Sequence, residues 1–97
     1  MRASSRQTKL AVADRNVIVT TEDETRVVTP AALQSAVDAL VAAVDSGRAF
    51  VRPSGTEDVV RVYAEAATPE AADRLALDVA KAAFVHAGGV GAEPSKL

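Results

Sequence analysis

Two stretches of the chain repeat apolar residues at three-and-four spacing, and each predicts an amphipathic helix. In the first, Leu33, Ala36, Val37, Leu40, Val41 and Val44 fall on one stripe. Thr29-Pro30 stands before it, with Thr as N-cap and Pro at the first helical position, where its missing N–H costs nothing. Gly47 supplies a left-handed stop after Asp45 and Ser46. In the second, Ala72, Leu75, Ala76, Val79, Ala82, Ala83 and His86 share a stripe, opened by Thr68-Pro69-Glu70 and ended by Gly88-Gly89. Leu77, Phe84 and Val85 fall off that stripe, which predicts an internal contact on a second side of the helix.

Between the helices the pattern turns extended. Ala49-Phe50-Val51 predicts one strand, Pro53 to Asp58 a connection, and Val59 to Ala66 a longer strand rich in β-formers. Antiparallel pairing with Arg52 opposite Val59 would put Ala49, Val51, Val60, Val62 and Ala64 on one face. Phe50, Arg52, Val59, Arg61, Tyr63 and Glu65 would share the other. Upstream, Leu10, Val12 and Val17-Ile18-Val19 around the turn formers Asp14-Arg15-Asn16 predict a bent strand or short hairpin from Lys9 to Thr21. Glu22-Asp23-Glu24 reads as a solvated turn. Residues 1–8 are polar and read as a disordered N-terminal segment. Residues 9–91 form the domain, and 92–97 read as a disordered tail. The order strand, helix, strand, strand, helix implies an α+β fold of two layers, a small antiparallel sheet with two helices packed on one face.

Composition narrows the function. The 97 residues suit one domain, and with one Tyr, two Phe and no Trp its core is built from Ala, Val and Leu. Eleven basic and thirteen acidic side chains give a net charge of −2. That balance and the scarcity of aromatics argue against nucleic acid as a partner. No cysteine is present, so disulfides and thiolate chemistry are excluded, and a single His cannot build a zinc site with its neighbours. No apolar run has the length of a membrane span, so no membrane partner is expected, and the thiol-free composition fits the cytoplasm.

Chemistry concentrates in Arg52-Pro53-Ser54-Gly55-Thr56-Glu57. A phosphate dianion needs several donors converging on tetrahedral oxygens. Arg52 offers a bidentate fork, and Ser54 and Thr56 offer hydroxyls. Gly55 would let the backbone turn so that successive N–H groups form an anion nest, and Pro53 stiffens the approach. Arg61 adds a second cation from the following strand. The same composition also suits an ordinary β-turn. It is not a nucleotide P-loop, because no glycine-x4-glycine-lysine is present and a strand follows instead of a helix. His86 reads as a capping or partly buried helix residue, and Tyr63 as a packing residue on the open sheet face.

The run Phe50 to Ala66, with its Arg-x-Ser-Gly-Thr core, resembles the phosphate-binding loop and following strand of the α-D-phosphohexomutases. Asp58 after Glu57, the upstream Ala13-Asp14-Arg15, Thr20-Thr21 and Val28-Thr29-Pro30 resemble the eukaryotic phosphoacetylglucosamine mutase branch in particular. The likeness runs from Lys9 to Gly91. It implies a TBP-like C-terminal domain, the fourth of four, that grips the non-reacting phosphate during interconversion of N-acetylglucosamine 6-phosphate and 1-phosphate. Arg52, Ser54, Gly55, Thr56 and Arg61 are then the phosphate ligands. The phosphoserine, the magnesium loop and the sugar loop belong to the other three domains, and their motifs are absent from this sequence. The chain would thus carry no cofactor of its own and no catalytic residue. It would have sugar phosphate and the remaining mutase domains as partners. A free-standing module that binds anions or a partner protein without catalysis is the alternative.

Overall fold

The computed structural model describes residues 4–91 and Pro94. Eight residues, Ser4–Ala11, form strand β1, and Val59–Ala66 form β5, with which β1 pairs antiparallel along its full length. Strand β4, Arg48–Pro53, pairs with the other edge of β5, giving the order β1-β5-β4. Two short strands, β2 (Val19–Thr20) and β3 (Val27–Thr29), make a separate antiparallel pair. Helix α1 spans Ala31–Ala42 and α2 spans Pro69–His86. This is the expected two-layer α+β architecture.

The central layer is held by alternation. Val60, Val62, Ala64 and Ala66 on β5, with Ala49 and Val51 on β4 and Leu10 on β1, are buried beneath α2. That helix answers with Ala72, Leu75, Ala76, Val79, Ala80 and Ala83. Alanine on both surfaces lets helix and sheet backbones approach closely, so dense packing replaces the aromatic bulk the chain lacks. Leu33 and Val37 of α1 join the same core together with Ile18 and Val27. Phe84, off the main α2 stripe, packs against this core from the side, the internal contact its position implied. Val85 does not, and is 67% exposed.

Several expectations need correction. The N-terminal segment read as disordered supplies the first half of β1: Ser4 to Thr8 pair with Ala66 to Val62. The alternation of Ser4 to Thr8 is polar, so no hydrophobic pattern marks this half of the strand, and backbone pairing carries it. Met1–Ala3 and most of the tail lie outside the described residues. The bent strand expected from Lys9 to Thr21 is β1, then a short 3₁₀ turn at Arg15–Val17, then β2. Asp14 caps that turn by accepting from the Asn16 N–H at 2.9 Å.

Helix α1 starts one residue later than expected. Thr29 is held in β3 opposite Val19, Pro30 is extended, and the first turn has no side-chain cap. At the other end, Ser46, not Gly47, takes the left-handed conformation, with φ of 56°. Gly47 is needed for room, since a Cβ there would stand 2.8 Å from the Val41 carbonyl oxygen. On α2, Thr68 caps as expected, accepting from Ala71 N–H at 3.2 Å. His86 is exposed instead of capping or partly buried, because the buried stripe continues through Ala80 and Ala83 to Ala87.

Gly47→Ala is expected to cost about 1–3 kcal/mol through this backbone clash, and Thr68→Ala about 1 kcal/mol through the lost cap. Thermal melting followed by circular dichroism checks both. An unchanged midpoint for Gly47→Ala would show that the Val41–Gly47 turn does not pack as described.

Candidate functional site

The β4–β5 register decides what the open face of the sheet presents. Arg52 pairs with Arg61 and Pro53 with Val60, two residues away from the expected alignment of Arg52 with Val59. A shift of two preserves which side chains share a face, so the predicted faces hold while the partners change. The cause is the connection. The Ser54 N–H donates to the Val59 carbonyl at 2.8 Å, closing the turn over residues 54–59, one position further along the chain than the expected connection from Pro53 to Asp58. Within it the Ser54 hydroxyl oxygen accepts from the Thr56 and Glu57 N–H groups, each at 3.3 Å.

That geometry revises the anion nest. Two of the amides expected to face a ligand are turned onto Ser54, which is itself buried at 9% exposure. The Gly55 N–H has no hydrogen-bond partner among the described residues. Gly55 does not adopt a positive φ, and a Cβ placed on it would meet nothing within 4 Å. Glycine is therefore not required there by the backbone. What its lack of a side chain provides is open space above the loop.

Arg52 is oriented from two directions. Its Nε donates to the Glu24 carbonyl oxygen at 3.1 Å, and its guanidinium lies 5.4 Å from the centroid of the Phe50 ring. Arg48 covers the same ring at 5.2 Å. Phe50 in turn stacks on Tyr63 across the strand pair, with centroids 5.7 Å apart and planes at 11°. Glu24 holds its carbonyl in place with a φ of 59°. The turn around it is organised by Asp23, whose carboxylate accepts from the Thr21 and Thr25 hydroxyls and the Thr25 N–H. These bonds, that from Thr21 foremost, hold the Asp23 carboxyl below the usual carboxylate range. The solvated acidic turn thus has a positioning task that composition did not disclose.

Asp58 anchors the far end of the loop. Its side chain accepts from the Arg15 N–H at 3.2 Å and lies 3.6 Å from the Arg15 guanidinium, while its carbonyl accepts from Val12 N–H at 3.0 Å. Behind the site, Arg26 makes a bidentate pair with Asp38, which also accepts from Gln34. The Arg26 bonds hold the Asp38 carboxyl below its ordinary value. Gln34 also accepts from the Val27 N–H at 2.6 Å, clamping the β2–β3 pair to α1.

Arg52, Arg61, Phe50 and Tyr63 line one open concavity of about 670 Å³ on the face away from the helices. Neither arginine has a carboxylate partner among the described residues, whereas Arg6, Arg15 and Arg26 are paired with Asp73, Asp58 and Asp38. Like charges directly across a strand pair are unfavourable, so this arrangement suits an anion placed between them.

The family model for the phosphoglucomutase/phosphomannomutase C-terminal domain matches residues 8–82. The chain belongs to this family. It is similar to phosphoacetylglucosamine mutase of Mus musculus, 57% identical over 90 residues, and of Homo sapiens, 58% identical over 90 residues. In each case the match covers 93% of this chain and 17% of the relative, so the chain spans about a sixth of those proteins. The domain also superposes on Aspergillus fumigatus N-acetylphosphoglucosamine mutase in complex with GlcNAc-6P and magnesium. The TM-score is 0.85 at 40% identity, covering 90% of this chain and 16% of that one. The α+β fold of this chain thus matches that of a solved phosphohexomutase C-terminal region.

Tyr63 donates to Glu65 at 2.6 Å, and this bond, with partial desolvation second, pushes its phenol above the ordinary range. Since Tyr63 is the only tyrosine of the chain, absorbance titration reads it directly. Glu65→Ala is expected to lower the midpoint; no movement would show that the Tyr63–Glu65 bond does not form in solution.

Proposed function

We propose that this chain is the phosphate-gripping C-terminal domain of a phosphoacetylglucosamine mutase acting in the cytoplasm on N-acetylglucosamine 6-phosphate and 1-phosphate. The observation that carries the reading is the unneutralised Arg52–Arg61 pair on the open sheet face, beside a loop with a free Gly55 N–H. Arg52 engages a phosphoryl group with the terminal nitrogens of its fork, because its Nε is already held by Glu24. Arg61 supplies the second charge from the neighbouring strand, and the Gly55 N–H a neutral donor. The Thr56 side chain, exposed on the loop, adds a hydroxyl. Ser54 acts chiefly by shaping the turn, its oxygen holding two amides so that the loop keeps one conformation.

Gripping the non-reacting phosphate positions the opposite end of the sugar for chemistry performed by the other domains, so that binding energy remote from the reaction lowers its barrier. The likeness to a solved mutase bound to GlcNAc-6P supports the sugar-phosphate class. The site does not suit the magnesium of the family enzyme. Its charged ligands are cationic, and among the described residues no three His, Cys, Asp or Glu stand together to hold a metal ion. We assign the metal and the phosphoserine to the remaining mutase domains, the partners of this one. Among the described residues no helix is long and apolar enough to cross a membrane.

Amide NMR titration of the chain with N-acetylglucosamine 6-phosphate tests the reading. Binding is expected near the millimolar range, about −4 kcal/mol, with the Gly55 amide moving most and Arg52→Ala abolishing the shift. Shifts scattered away from residues 52–61, or unaltered by Arg52→Ala, would overturn it. Gly55→Ala is expected to leave the unfolding free energy within about 0.5 kcal/mol of the parent while weakening phosphate binding. The reverse result would make Gly55 a purely structural residue.

A further inference from the structure

Strand order places a third cation in line with the two arginines. Lys9 of β1 stands opposite Arg61, which stands opposite Arg52, so one row across three strands reads Lys9, Arg61, Arg52. Two interstrand spacings of about 4.8 Å separate its ends. Lys9 is exposed, lines the same concavity as Phe50 and Tyr63, and has no ion pair among the described residues. The neighbouring row contains no acid, since Gln7, Tyr63 and Phe50 occupy it. Glu65, one row further, accepts from Tyr63 and stands across from Arg48.

We infer that Lys9 is a third ligand for the bound anion, holding an oxygen of a sugar-linked phosphoryl group from the β1 side; this rests on the phosphate reading of the Arg52–Arg61 pair. Three unneutralised cations in register are costly in the free protein, while acidic side chains outnumber basic ones in the chain as a whole. The role fits the chemistry of each group. The arginines present planar forks for bidentate contact, whereas a lysine ammonium is a mobile point charge on a four-carbon stem that can follow the ligand. A lysine on an edge strand can also serve only to discourage pairing with another sheet, and the test separates the two roles.

The 97-residue chain and its Lys9→Gln, Lys9→Arg and Arg52→Gln variants are titrated with N-acetylglucosamine 6-phosphate and with inorganic phosphate at two salt concentrations. A ligand role predicts that Lys9→Gln raises Kd about three- to fivefold at low salt, flattens the salt dependence, and leaves the Gly55 amide responsive. Lys9→Arg is expected to restore the parent affinity. A Kd for Lys9→Gln equal to the parent's, alongside weakened binding by Arg52→Gln, overturns the Lys9 inference and leaves the phosphate reading standing. Parent-like binding by Arg52→Gln, or no binding by the parent chain, overturns both. Weakening by Lys9→Gln that Lys9→Arg fails to restore, or that persists unchanged at high salt, assigns Lys9 to the structure of the strand and overturns the inference.

Discussion

The alignment of β4 against β5 governs the rest of the molecule. Slipping it by one residue would send Val51 and Ala49 to solvent and drive Arg52 and Phe50 into the alanine-lined space under α2. Burial on one face therefore forces the arginines onto the other, and the Ser54–Val59 closure selects which arginine faces which. The core and the facing Arg52–Arg61 pair are two consequences of one register.

Around that register the structure arranges support for Arg52 from parts of the chain far apart in sequence. The Glu24 carbonyl reaches it from the β2–β3 turn, and Phe50 supports it from its own strand. Asp58, at the far end of the loop, ties the loop to the segment after β1 through Val12 and Arg15. Arg26, Asp38 and Gln34 fasten the β2–β3 pair to α1, so the turn carrying Glu24 is fixed to the body of the domain. A guanidinium held in this way loses less freedom on meeting an anion than a free one would.

The thin core explains why this support comes from hydrogen bonds and close packing. Among the described residues the largest fully buried side chains are Leu or Val, and hydrophobic burial alone gives a small domain a narrow margin. Alanine at Ala64, Ala66, Ala72, Ala76, Ala80 and Ala83 brings backbones together, and the polar tethers act where the core does not reach.

By itself the sequence determined the helices, the two strands between them, their inward and outward faces and the Arg-x-Ser-Gly-Thr loop. These follow from periodicity and local stereochemistry, which act over a few residues. Only the tertiary structure decided the register of those strands, the pairing of Ser4 to Thr8, and the use of Ser54 as a turn-former. It alone placed Lys9 beside Arg61 and the Glu24 carbonyl beside Arg52. These juxtapositions join residues 28 to 52 positions apart, and the polar first half of β1, Ser4 to Thr8, carries no hydrophobic alternation to announce it, because its stability comes from backbone bonds to a partner found only when the chain has folded.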